Sequence, residues 1–148
     1  MRISTVCQLF STHSKICIIG GGTGGINLST HLLRAKIPPS SIRIIEPANS
    51  HYYQPGWTML GANLCDSDLT VRPMGDVISK SINWTKQRVT MVNADKNEVE
   101  CENGEKITYD QVVFSSGLRM NWEKIKGAKE ALENPGAPVG SIYDLPFA

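Results

Sequence analysis

The chain has 148 residues, 41% of them apolar and 20% charged, with a formal net charge of +1; this is the size and make-up of one globular domain with a modest core. No apolar run approaches the length of a membrane span. Lys and Arg number five before the first acidic residue, Glu46, and ten against fourteen Asp and Glu from there on. That asymmetry suits an anionic cofactor near the N-terminal part but is too small to argue for nucleic acid.

Residues 1–14 carry Arg2, five hydroxyl residues and no acid, with Ile3, Val6, Leu9 and Phe10 at helix-like spacing. This pattern is expected of a mitochondrial transit peptide. Then comes Lys15 to Gly25, KICIIGGGTGG, a short apolar run ending in Gly-x-Gly-x-x-Gly. Such a run predicts a strand that hands a dinucleotide diphosphate to a helix. Gly20 permits the tight turn out of the strand, Gly22 lets the main chain approach the phosphates, and Gly25 lets the helix pack closely on the sheet.

From Thr23 onward, Ile26, Leu28, Leu32 and Leu33 form an apolar face at helical spacing, and Pro38-Pro39 forbids continuation. The amides of the first helical turn would point at the diphosphate with the favourable end of the helix dipole. A second strand is expected over Ser41 to Ile45, with Glu46 at its end, 21 residues after Gly25. An acid at that distance is the expected acceptor for ribose hydroxyls, and its charge disfavours the 2′-phosphate of NADP.

The segment SHYYQPGWTMLGANL is dense in aromatic and polar side chains and broken by Pro55 and Gly56, so it reads as a structured loop entering a short helix. His51, Tyr52, Tyr53, Gln54 and Trp57 could line a flat ring or pack over the sheet end, and composition favours packing. A helix is expected within Val71 to Lys80, starting near Arg72-Pro73 with Met74, Val77 and Ile78 on one face. The next runs, Val89 to Val92, Val99 to Cys101 and Ile107-Thr108, are separated by polar turns and predict a three-stranded antiparallel meander. Val112 to Phe114 then returns as a parallel core strand, and Gly117 beyond it permits another close approach to ligand.

The fold class expected is therefore α/β: a Rossmann-like FAD-binding domain, with a parallel sheet, the glycine elbow and an inserted meander. Its expected extent is residues 15–117, followed by the start of a further region at 118–148. Cys7, Cys17, Cys65 and Cys101 show no CxxC spacing, so neither a metal site nor a disulfide framework is expected. Cys17 and Cys101, inside predicted strands, read as packing residues. The sequon Asn83-Trp84-Thr85 is incidental without a secretory signal.

GGGTGG, Glu46 and the terminal strand with Ser115-Ser116-Gly117 resemble the two-dinucleotide-domain flavoprotein reductases. IIEPANSHYYQPGWTMLGANL, VRPMGDVISKSINWTKQRVTMVNADKNEV and YDQVVFSSGLRMNWEKIKG resemble, more narrowly, the mitochondrial sulfide:quinone oxidoreductases. The resemblance implies that Gly20, Gly22, Thr23, Gly24 and Gly25 bind the FAD diphosphate and Glu46 the adenosine ribose. Gln54 and the Val89 main chain would also contact FAD, and Gly117 would keep the close approach although Ser115-Ser116-Gly117 replaces the commoner Ala-Thr-Gly. It further implies hydrogen sulfide and ubiquinone as reaction partners, association with the inner mitochondrial membrane, and a redox-active cysteine pair beyond Ala148. On that layout no residue of this chain is catalytic, its FAD site is incomplete and the chain alone is inactive. Competing readings are a related flavin reductase such as a type II NADH dehydrogenase, and a non-catalytic nucleotide-binding fragment.

Overall fold

A computed structural model describes residues 12–141 and 143; Cys7 and most of the transit-peptide reading lie outside them. The described residues form two compact units, residues 12–48 with Ile78–Ser116, and Asn49–Val77 with residues 117–141 and 143.

The first unit is built on a six-stranded sheet. Strand β1 (Thr12–Ile19) leads through the glycine elbow to helix α1 (Thr23–Arg34), and a 3-10 turn at Pro39–Ser41 precedes β2 (Ile42–Ile45). That turn takes Ser41 out of the second strand: Pro38 and Pro39 fix the backbone for a turn, and the Ser41 N–H donates to the Pro38 carbonyl at 2.9 Å. The sheet order is β5-β2-β1-β8-β7-β6, where β5 is Asn83–Thr85, β6 Val89–Asn93, β7 Glu98–Cys101 and β8 Lys106–Phe114.

Strands β5, β2, β1 and β8 run parallel, while β7 and β6 extend the sheet antiparallel. This is the Rossmann-like core with its meander. Two local differences from expectation stand out. The third meander strand and the return strand are one nine-residue strand: Lys106–Thr108 pairs antiparallel with β7, and Ile107–Phe114 pairs parallel with Thr12–Ile19. Nothing between Thr108 and Val112 breaks a strand, since neither Gly nor Pro is present.

The second difference is β5, which the sequence hides. Asn83-Trp84-Thr85 shows no apolar run, yet it is the fourth parallel strand, its register pairing Ile44 with Trp84.

The two sheet faces are apolar in alternation. Ile18, Ile42 and Ile44 are fully buried, with Ile18 meeting α1 near Gly25. On the other side Cys17, Ile45, Val99, Cys101, Ile107 and Tyr109 form one cluster. β1 begins at Thr12, so its first three residues overlap the end of the segment read as a transit peptide, and Ser14 is 2% exposed.

In the second unit, β3 (Ser50–Tyr52) pairs antiparallel with β4 (Val71–Pro73), and a 3-10 turn (Gln54–Gly56) runs into α2 (Trp57–Gly61). His51 and Trp57 are buried, whereas Tyr52 and Tyr53 are half exposed. The helix expected over Val71 to Lys80 is reduced to one turn, α3 (Met74–Val77). Pairing with β3 holds Val71–Pro73 extended, the Met74 N–H donates to the Asn49 carbonyl at 2.7 Å, and Gly75 is a poor helix former. A 3-10 turn at Trp122–Lys124 and α4 (Ala128–Glu133) complete the unit.

Candidate cofactor-binding site

The elbow between β1 and α1 has a different physical demand at each glycine. Gly20 sits at φ +107, a conformation L side chains rarely adopt, and a Cβ there would strike the Ser115 carbonyl, 2.6 Å from its carbon and 2.9 Å from the Ser116 nitrogen. The end of β8 thus lies directly against the elbow. A Cβ on Gly25 would strike the Gly20 carbonyl and lie 3.3 Å from Ile18 Cγ2, so this glycine seats α1 on the turn. Gly24 faces Ser115 Oγ, 2.8 Å from where its Cβ would be.

Gly22 is the exception. Nothing lies within 4 Å of its absent side chain, so packing does not require a glycine there. The open direction is where a ligand would come closest to the main chain. Gly22 is also the N-cap of α1, which has no side-chain cap and no acidic residue in its first turn. The first-turn amides of Thr23, Gly24 and Gly25, which precede the first helical bond from Ile26 N–H to the Gly22 carbonyl, therefore keep their donors and their partial positive charge for an incoming anion.

Glu46 stands at the β2 exit and is half-buried. Its Oε2 accepts from the Gly21 N–H and its Oε1 from the Ala48 N–H, both at 2.7 Å. Each oxygen keeps lone-pair capacity for a hydroxyl donor. Gly20, Glu46 and Val89 line a common cleft of about 400 Å³, together with Ser116 and Arg88. Sequence reasoning missed Arg88, whose only signal was its place immediately before Val89.

Thr23 is the first residue of α1, and it is not among the residues that line this cleft, nor are Gly22, Gly24 and Gly25. Gly117, at φ +71, needs glycine for its backbone conformation. Gln54 starts the 3-10 turn of the other compact unit and is half-buried.

Cys17 and Cys101 are buried and poorly suited to nucleophilic chemistry in this fold. Burial pushes the Cys17 thiol up to about 11, and burial also raises Cys101, so both are protonated at neutral pH. Cys65 is partly exposed, with Sγ 4.0 Å from the Gly56 carbonyl.

Residues 14–138 match the family described as pyridine nucleotide-disulphide oxidoreductase. The chain belongs to that family. Among curated relatives, mitochondrial sulfide:quinone oxidoreductase of Mus musculus is 33% identical over 94% of this chain and 30% of its own length. The corresponding protein of Dictyostelium discoideum is 36% identical over 88% of this chain and 29% of its own. The chain therefore spans about a third of the length of the curated relatives it matches.

In fold, the solved sulfide:quinone oxidoreductase of Aquifex aeolicus superposes with a TM-score of 0.64 at 23% identity, covering 81% of this chain and 27% of that one. FAD is the cofactor of this oxidoreductase family. The residues present suit it: an uncapped helix start, an elbow with open space above Gly22, and a carboxylate at the neighbouring strand end.

Proposed function

We propose that this chain is the FAD-holding portion of a mitochondrial sulfide:quinone oxidoreductase, a protein that oxidises hydrogen sulfide and passes the electrons to ubiquinone at the inner membrane. The observation that carries the reading is the pairing of the Gly22 opening with the Glu46 carboxylate at the end of the adjacent parallel strand. Gly22, Thr23 and Gly24 would receive the diphosphate through main-chain N–H groups. Gly20 and Gly25 would hold the elbow in shape. Glu46 would accept the ribose hydroxyls, and the Val89 main chain would lie at the adenine.

When bound, FAD supplies two-electron transfer between a sulfur donor and a quinone. The contribution of these residues is to bind and orient it. The narrower assignment to sulfide:quinone oxidoreductase rests on relatives about one-third identical over nearly the whole of this chain.

Binding is tested with ADP, which carries the diphosphate and ribose alone, by ligand-observed NMR on the purified chain. Saturable binding that weakens at least tenfold in Glu46→Gln is expected, since hydrogen bonds to a charged acceptor are worth about 1.5–3 kcal/mol each. No saturable binding would refute the site. The activity is tested by inactivating the gene and measuring sulfide-dependent reduction of a ubiquinone analogue in isolated mitochondria; an undiminished rate would refute it.

A further inference from the structure

The carboxylate of Glu46 can meet a ribose only if its main chain is held still, and β2 has ended at Ile45. Two bonds from β5 take over there. The Glu46 N–H donates to the Thr85 carbonyl at 3.0 Å, and the indole Nε1–H of Trp84 donates to the Glu46 carbonyl at 2.9 Å. Both main-chain polar groups of Glu46 are therefore satisfied by consecutive residues of the neighbouring edge strand.

The second bond is unusual in kind. A strand end would ordinarily offer its carbonyl to solvent or to a backbone amide, but here a side chain from the next strand reaches it. Indole has one donor and no acceptor, so its half-buried N–H has this carbonyl as its partner and no alternative role in the ladder. Lys86 Nζ lies 5.9 Å from the ring centroid, a cation over the aromatic face. With the backbone clamped, Oε1 and Oε2 are aimed by the Ala48 and Gly21 amides.

We propose that Trp84 is a positioning residue for ribose recognition: its indole N–H clamps the Glu46 carbonyl and so holds the carboxylate where a nucleotide's 2′- and 3′-hydroxyls arrive. This rests on the reading of Glu46 as the ribose acceptor. Trp84 touches no ligand itself and acts through Glu46.

The test separates positioning from general stability by asking what the ligand loses, not how tightly it binds. ADP and 2′,3′-dideoxy-ADP are titrated against the wild-type chain and Trp84→Phe, which keeps a ring under Lys86 and removes the N–H. The ratio of the two affinities, the preference for hydroxyls, is expected to fall about fivefold in Trp84→Phe, the worth of one ordinary hydrogen bond. The affinity for dideoxy-ADP is expected to stay unchanged.

An unchanged ratio overturns the proposal, and so does an equal loss for both ligands, which is what a merely structural tryptophan would give. In the Glu46→Gln background the substitution is expected to change nothing further; an additional loss of preference overturns the coupling. A wild-type chain that binds ADP without preferring hydroxyls sinks the ribose reading of Glu46 and this proposal with it. Failure to bind either ligand sinks the nucleotide site as a whole.

Should Trp84→Phe fold poorly, hydrogen exchange of the indole N–H in the wild-type chain decides the matter. Exchange markedly slower than that of a free indole is expected, and exchange at the free rate overturns the clamp.

Discussion

Alanine at Gly20 and at Gly22 should have opposite consequences, though the two glycines are two residues apart. At Gly20 the backbone is at φ +107, and the new Cβ would meet the main chain of Ser115 and Ser116 at 2.6–2.9 Å and closer. The conformational strain is about 1–3 kcal/mol, and displacing backbone from a packed strand end adds about 1–3 kcal/mol. A loss of about 2–6 kcal/mol follows, which at about 4 °C per kcal/mol lowers the melting temperature by about 8–24 °C.

At Gly22 the backbone is extended at φ −69 and the space is open for 4 Å. Alanine reduces the freedom of the unfolded chain, worth about 0.4–1 kcal/mol, against about 1 kcal/mol lost at the N-cap, where glycine is preferred to alanine. Folding should be unchanged within about 1 kcal/mol. The methyl group nevertheless occupies the approach to the main-chain donors, so ADP affinity should fall at least tenfold, a difference of about 1.4 kcal/mol.

Urea unfolding of both variants, with ADP titration of Gly22→Ala, checks the pair. If Gly22→Ala unfolds as readily as Gly20→Ala, the open direction is not open. If it folds and retains full ADP affinity, no diphosphate sits above Gly22.

Three further outcomes are expected. Arg43 ties three parallel strands together by donating from Nε to Ser14 Oγ at 2.9 Å and from Nη1 to Thr85 Oγ1 at 2.6 Å. Arg43→Met should cost about 2–4 kcal/mol in urea unfolding, because it leaves two buried hydroxyls without their donor, and Arg43→Lys should not restore it, lacking the planar fork. Cys17 should resist iodoacetamide at pH 8 in the folded chain while Cys65 reacts, as read by peptide mass spectrometry. Because burial raises the Cys17 thiol to about 11, the folded state holds that proton more tightly than the unfolded chain. Its contribution to stability is full below the ordinary thiol value and is lost as pH rises toward 11. Unfolding midpoints should therefore fall between about pH 9 and 11, with a shallower slope in Cys17→Ala.

Much of this protein is legible before folding because its signals are local. The demands on Gly20, Gly22 and Gly25 come from a turn of a few residues, α1 from a 3.6-residue apolar repeat, and Glu46 from its distance along a strand-helix-strand unit. Neither β5 nor the length of β8 could be read that way. Asn83-Trp84-Thr85 has no apolar alternation of its own and becomes a strand because β2 offers it a free edge; β8 stays unbroken because β1 pairs with it along nearly its whole length. The Val71–Pro73 segment is likewise extended because Ser50–Tyr52 pairs with it, against a local pattern that favoured helix.

At the site, the chain order places a glycine elbow and an acid about the right distance apart, but which glycine is spared by packing emerges only once Ser115 and Gly20 are brought together from the two ends of the first unit. The same holds for the indole bond to Glu46, 38 residues away. Short-range geometry is written in neighbouring residues, whereas partnerships between strand ends depend on the sheet order that hydrogen bonding selects across the whole unit.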